Sequence, residues 1–226
     1  MSTLRLLAPN LWVIDHPFRV MGLDLGTRTT LVRLTNGGLW VHSPGPLDPT
    51  LTEAIKALGP VHALVAPNAM HHLYLASNRQ AFPEAKVYLS PALPPKLKEQ
   101  FAYELLSNKA PEPWRQELTQ HLVGGLPQLQ EMAFFHPASR TLILTDLAFN
   151  IRHTNSWFTR LFMRFNGGYG RFGPTRIFRS LVKDRPALRT SLNRMQEWDF
   201  DRIIVTHGDV LESGGRQEMQ TQYAWV

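Results

Sequence analysis

The chain has 226 residues, of which 43% are hydrophobic and 19% charged, and it contains no cysteine. This length and composition predict one globular α/β domain over residues 1–226 and exclude an intrinsically disordered chain. The lack of cysteine excludes disulfides, thiolate zinc sites and cysteine nucleophiles. The sequence shows neither a signal peptide nor an apolar run of about 18 residues, so we expect a cytoplasmic protein without a transmembrane segment.

The formal net charge of +6 is concentrated in residues 151–189. That segment has one acid, Asp184, and nine basic residues: Arg152, Arg160, Arg164, Arg171, Arg176, Arg179, Lys183, Arg185 and Arg189. Aromatic residues are interleaved with the arginines, so the segment could bind phosphate or single-stranded nucleic acid, lie on a membrane surface, or form an amphipathic cover over a site. We favour the cover, and the positive charge favours an anionic ligand over a cationic one.

The first predicted elements are strands. Residues 11–15 and 29–34 are rich in β-forming residues, and residues 38–42 follow Asn36-Gly37, a pair that suits a tight hairpin turn. The sequence Ser-Pro-Gly-Pro at 43–46 ends the third strand. These segments predict an antiparallel start to a larger sheet.

From residue 48 onward, strands alternate with helices, which is the pattern of a layered α/β fold. The predicted elements are a helix (48–58), a strand (61–65), a helix (73–81), a strand (85–89), a mostly helical excursion broken by prolines (92–118), two strands joined by a turn (129–135 and 141–145), a helix (187–198) and a last strand (202–206).

Side chains that can bind a metal follow three of these strands. His71 and His72 come after the strand that ends at residue 65, Asp146 after the strand that ends at residue 145, and His207 after the last strand. Ligands bind at the carboxyl ends of strands in open α/β folds, so these side chains are candidates for one site. Histidine and carboxylate ligands suit zinc, iron or manganese.

The order of elements resembles the metallo-β-lactamase superfamily, a four-layer αββα sandwich, and in particular an uncharacterised branch described only as a β-lactamase-like domain of unknown function. The resemblance spans nearly the whole chain. It is carried by the segments Asp-His-Pro-Phe-Arg at 15–19, Gly-Leu-Trp-Val-His-Ser-Pro at 38–44, Ala-Pro-Asn at 66–68 with the two histidines, and Trp-Asp-Phe-Asp-Arg-Ile-Ile-Val-Thr-His-Gly-Asp at 198–209.

The superfamily motif His-x-His-x-Asp-His falls on residues 67–72. His72 matches its last histidine, His71 stands where the family has aspartate, and Pro67 and Ala69 replace the first two histidines. The family's later lone histidine has no counterpart at 124–128, where Leu-Pro occupies 126–127. Asp146 matches the bridging aspartate and His207 the final histidine. All the missing ligands therefore belong to one of the family's two metal sites.

The resemblance therefore implies at most one divalent metal, zinc before iron or manganese, held by His71, His72, Asp146 and His207. A water activated by this metal would attack an ester, amide, thioester or phosphoester bond of an anionic small molecule. If His71 is not a ligand, it could act as the general base. His42, where active relatives usually carry an aspartate, could support the ligands or simply pack at its strand end.

Two alternatives belong to other classes of function. The chain could be a binding or scaffold protein that kept the fold and lost the metal, with hydrogen bonds from Asn68 and the histidines tying down a loop. It could also process or bind nucleic acid, by analogy with nucleases of the same fold.

Overall fold

The strands of the computed structural model, which describes residues 2–98 and 100–226, build two sheets and a small hairpin. In chain order they are β1 (Thr3–Ala8), β2 (Leu11–His16), β3 (Arg19–Val20), β4 (Leu23–Asp24), β5 (Thr27–Arg33), β6 (Leu39–His42), β7 (Val61–Ala66), β8 (Lys86–Leu89), β9 (Glu104–Leu105), β10 (Thr119–Leu122), β11 (Met132–His136), β12 (Thr141–Ile143) and β13 (Arg202–Ile204). The helices are α1 (Pro49–Leu58), α2 (Leu75–Ala81), α3 (Trp157–Phe165), α4 (Arg176–Leu181), α5 (Arg185–Gln196) and α6 (Gly215–Gln222).

The first sheet has the order β1-β2-β5-β6-β7-β8-β9 and the second the order β10-β11-β12-β13, while β3 and β4 form a separate two-stranded sheet. Strands β1, β2, β5 and β6 are antiparallel, and β6 to β9 are parallel. In the second sheet β12 and β13 are parallel. Each sheet therefore has parallel strands whose carboxyl ends lie at one edge, and these edges carry the site.

The two sheets pack face to face over one apolar layer. Trp40 and Val65 of the first sheet and Phe134, Ile143 and Ile204 of the second belong to the same buried cluster. Helices α1 and α2 cover the outer face of the first sheet, and α4, α5 and α6 cover the outer face of the second. The structure is a four-layer αββα sandwich, which confirms the predicted fold class.

Local sequence explains where α1 begins and ends. The Asp48 carboxylate accepts a hydrogen bond from the Leu51 N–H and caps α1, and Gly59 follows its last residue. The predicted antiparallel start, the strands after residue 60 and the long helix near 187–198 are all present, with bounds that shift by a few residues.

The predicted helical excursion at 92–118 is wrong. Among the described residues of this segment, regular structure is limited to a single 3₁₀ turn, Pro94–Lys96, and the short strand β9. Prolines interrupt the backbone N–H pattern that a helix needs. The large side chains fill the space between the sheets, and Trp114 and Leu118 are fully buried there.

The sequence pattern also missed β1, the β3–β4 hairpin, β10 and the helices α3, α4 and α6. No helix among the described residues is long and apolar enough to cross a membrane.

Candidate metal centre

Three of the four predicted ligands converge where the strands end. His71 lies in the loop after β7, Asp146 follows β12 and His207 follows β13. One nitrogen or oxygen atom from each of these residues can be chosen so that all three atoms lie within 4.8 Å of one another. The group thus combines residues that follow three different strands from the two sheets.

Asp146 lies between the two imidazoles. Its Oδ2 is 3.2 Å from His71 Nε2, and its Oδ1 is 3.4 Å from His207 Nε2. Burial opposes ionisation of this carboxyl, but the neighbouring His71 and His207 outweigh it and hold the pKa of Asp146 well below its usual range. Asp146 is therefore an anion with both Nε2 atoms beside it.

The Nδ1 atoms of both imidazoles, which are their outer nitrogens, have hydrogen-bond partners in the protein. His71 Nδ1 is 2.9 Å from Ser43 Oγ, and His207 Nδ1 donates to the Gly26 carbonyl oxygen at 2.7 Å. A proton on Nδ1 leaves the Nε2 lone pair free to bind a metal, and such outer contacts orient metal-binding histidines in proteins. The donors present therefore fit a divalent metal of the zinc, iron or manganese type.

His207 is further held by its neighbours. Its ring stacks on Phe149 at a centroid distance of 5.4 Å and an interplanar angle of 9°. Gly208 follows at φ 94°, and a Cβ at this position would lie 2.3 Å from the Asn150 carbonyl oxygen. Only glycine fits this close backbone approach, which brings the His207 loop against the segment that follows Asp146.

Asn68 connects the His71 loop to Asp146. Its side-chain oxygen accepts hydrogen bonds from the backbone N–H groups of Met70 (2.8 Å) and His71 (3.0 Å). Its amide nitrogen donates to Asp146 Oδ2 at 2.8 Å. One fully buried side chain thereby shapes the loop that presents His71 and orients the carboxylate that faces it.

Glu131, which the sequence interpretation did not single out, is a fully buried carboxylate behind Asp146. It accepts hydrogen bonds from the backbone N–H groups of Thr145, Asp146 and Leu147 at 2.7–2.8 Å. Burial raises the pKa of Glu131 to about 7 and the charge of Asp146 adds to the rise, while the backbone donors oppose it. An acid directly before the apolar run Met-Ala-Phe-Phe at 132–135 was the signal for it in the sequence.

The fourth predicted ligand, His72, does not belong to the group of three, although it lines the same cavity. Adjacent residues point in different directions, and the Asn68 turn directs His71 toward Asp146. His42 is fully buried, with its ring stacked on Trp40 at 5.4 Å. Neither of its nitrogens has a hydrogen-bond partner within the described chain.

The group opens into a cavity of about 440 Å³. Apolar side chains, among them Phe18, Leu25, Leu129 and Phe178, make up much of its wall, and Ser43, His72, Gln128 and Thr175 add polar groups, with Lys96 as the cation. The cavity is large enough for a small molecule that has an apolar part.

Two buried histidines outside the group predict a pH dependence of stability. Burial lowers the pKa of His16 to about 4 and that of His42 to about 3. Above pH ~6.5 both imidazoles are neutral in the folded and unfolded states. Below it they gain protons in the unfolded state first, so the free energy of unfolding should fall by a few kcal/mol between pH ~6.5 and ~4.

Urea unfolding of the metal-free protein at several pH values measures this loss. The His42→Phe variant keeps a ring beside Trp40, and its free energy of unfolding should change less steeply with pH. An unchanged pH dependence in the variant would mean that His42 does not contribute to the loss of stability at low pH.

Comparisons with known proteins agree with this architecture. The metallo-β-lactamase DIM-1, in a structure of the enzyme exposed to ceftazidime, matches with a TM-score of 0.68 at 14% identity over 99% of this chain and 97% of that one. The mono-zinc form of FIM-1 from Pseudomonas aeruginosa matches with a TM-score of 0.67 at 14% identity over 99% and 95%. The metal-soaked flavodiiron core of Flv1 from Synechocystis sp. PCC6803 matches with a TM-score of 0.67 at 11% identity over 99% and 60%.

These similarities define the class: the chain is an α/β protein of the metallo-β-lactamase fold. A family model described as a domain of unknown function (DUF4336) matches residues 9–162, which is more than half of the chain. The chain belongs to this DUF4336 family. No curated protein matches it in sequence.

Proposed function

We propose that the protein is a metal-dependent hydrolase with a single divalent metal held by His71, Asp146 and His207. The observation that carries the proposal is the convergence of one donor atom from each residue within 4.8 Å, with the outer nitrogens of both histidines fixed by Ser43 and Gly26. Zinc is the first expectation, and iron or manganese suit the same donors. A metal in this position supplies Lewis acidity and activates water for hydrolysis.

The protein's own residues supply orientation and substrate binding. Asn68 fixes Asp146 and the His71 loop, while Glu131 holds the backbone that carries Asp146. The apolar cavity wall would bind the body of the substrate, and Lys96 would attract its negative charge. The substrate class is an anionic small molecule with an ester, amide, thioester or phosphoester bond.

A panel of such substrates, assayed before and after chelation, tests the proposal. Activity should fall at least about ten-fold on chelation and return with zinc, iron or manganese. Activity that survives complete removal of metal would contradict it, and a protein with neither metal nor activity would support the scaffold alternative.

A second candidate rests on one contact. Ser43 lies at φ 51°, a conformation unusual for a residue other than glycine, and it lines the cavity with its Oγ 2.9 Å from His71 Nδ1. With the proton on Nε2 directed at Asp146, His71 could act as the general base and Ser43 as a nucleophile. This arrangement needs the opposite imidazole tautomer from metal binding.

Ser43→Ala separates the two candidates. In the metal-dependent enzyme Ser43 only orients His71, so activity should fall about 10–100-fold and remain sensitive to chelation. In a serine hydrolase the activity would resist chelation, and a fluorophosphonate probe would label Ser43 in the original protein but not in the variant.

A further inference from the structure

Nine of the twelve large hydrophobic residues that are exposed among the described residues lie around the cavity mouth and on the adjoining helix α3. We call this set the apolar collar. Its members are Val20, Met21, Met70, Leu73, Trp157, Phe158, Leu161, Phe165 and Ile177.

The collar is continuous across separate elements. Val20, Met70, Leu73 and Ile177 line the mouth of the cavity. Met21, which is 91% exposed, forms the tip of the β3–β4 hairpin directly after Val20. The hairpin in turn contacts α3, because the Asp24 N–H donates to Thr159 Oγ1 at 2.8 Å.

Helix α3 presents an apolar face to solvent. Its buried residues are Thr159 and Met163, whereas Trp157 is 72% exposed and Phe165 69%. Trp157, Leu161 and Phe165 are spaced four residues apart and share one face. Burying such side chains in the protein would be the ordinary outcome, so their exposure indicates a surface that is covered by something else.

Basic residues flank this apolar face. Arg160 and Arg164 occupy the adjacent stripe of α3, and Arg176 precedes Ile177. None of the three forms an ion pair with a carboxylate of the described chain.

We propose that the apolar collar docks on the surface of an anionic lipid bilayer. An exposed apolar face with tryptophan and flanking arginines is what interfacial helices use to enter the headgroup region of such bilayers. The cavity mouth would then face the lipid. The collar residues lie outside the group of His71, Asp146 and His207, so docking does not require a metal.

Two other partners fit less well. Nucleic acid stacks on aromatic side chains, but Val20, Met21, Leu73, Leu161 and Ile177 offer no aromatic face. A second copy related by two-fold symmetry would bring the arginines of both copies together without acids to neutralise them. An anionic bilayer matches both the aliphatic groups and the charge.

Vesicle sedimentation tests the proposal with two lipid compositions, phosphatidylcholine alone and phosphatidylcholine mixed with phosphatidylglycerol. We expect binding to the anionic vesicles that weakens with added salt, and at least about ten-fold weaker binding to the neutral ones. The fluorescence of Trp157 should shift to the blue on binding. No binding to anionic vesicles would overturn the proposal.

Matched double variants locate the surface. Trp157→Ser with Phe165→Ser, and Arg160→Gln with Arg164→Gln, should each weaken binding at least about ten-fold. Leu6→Ser with Leu105→Ser removes exposed apolar side chains outside the collar and should leave binding unchanged. All variants should keep the metal content and melting temperature of the original protein.

Equal binding by all variants would contradict the proposed surface. The proposal would also be overturned if the original protein did not bind vesicles but self-associated or bound single-stranded oligonucleotides, and the collar variants lost that activity.

Discussion

Replacing Asp146 by Asn should lower the affinity for a divalent metal by more than about 100-fold. Asp146 is the anionic member of the group and lies between the Nε2 atoms of His71 and His207. An amide keeps the size of the side chain but loses the negative charge, and it directs an N–H group toward a position where a lone pair is needed. The remaining pair of neutral imidazoles binds metal weakly.

A competition titration with a chromophoric chelator, using zinc and then manganese, measures this affinity. Asp209→Asn is the matched control, since Asp209 is an exposed aspartate two residues after His207 and lies outside the group. The control should bind metal as the original protein does. Equal affinities for Asp146→Asn and Asp209→Asn would remove Asp146 from the site.

Replacing Glu131 by Ala should destabilise the metal-free protein by about 3–5 kcal/mol, the largest stability effect we expect from a single substitution. The three backbone N–H groups of Thr145, Asp146 and Leu147 would lose their acceptor inside the protein. An unpaired buried donor costs about 1–3 kcal/mol. The melting temperature should therefore fall by about 10 °C.

Thermal and urea unfolding in the presence of chelator measure this change without a contribution from bound metal. Glu131→Gln keeps one acceptor oxygen and should lose less stability than the alanine variant. Glu53→Ala, at an exposed glutamate that pairs with Lys56, should change the free energy of unfolding by less than about 0.5 kcal/mol. A similar small change in Glu131→Ala would show that the three N–H groups find other partners.

Much of the fold could be predicted because its elements have strong local patterns. The hairpin turn Asn36-Gly37, the Asp48 cap and the alternation of strands and helices are set by nearby residues. The segment 92–118 could not be predicted in this way. Its large side chains, such as Trp114, pack between two sheets that are distant in sequence, and that burial does not depend on a helical period.

The candidate site, too, could be predicted only in part from local sequence. The sequence places His71, Asp146 and His207 at strand ends, and the parallel strands of each sheet bring those ends to one edge. The choice between His71 and His72 depends on the Asn68 turn, which is a matter of side-chain geometry. Glu131 acts through three N–H groups at least 14 residues away along the chain, so its role emerges only when β11 and the loop after β12 come together.

The apolar collar shows a further limit. The amphipathic cover over a site that we favoured for residues 151–189 is formed in part, since Thr175 and Phe178 line the cavity. Trp157 and Phe165 of the same segment are exposed. Hydrophobicity alone does not tell which apolar face of a short helix turns inward.

The metal content of the protein purified without chelator tests the central claim most directly. Inductively coupled plasma mass spectrometry should find close to one equivalent of zinc, iron or manganese per chain, or restore it after incubation with these ions. Less than about 0.2 equivalents, with no recovery on adding any of the three ions, would contradict a metal site at His71, Asp146 and His207.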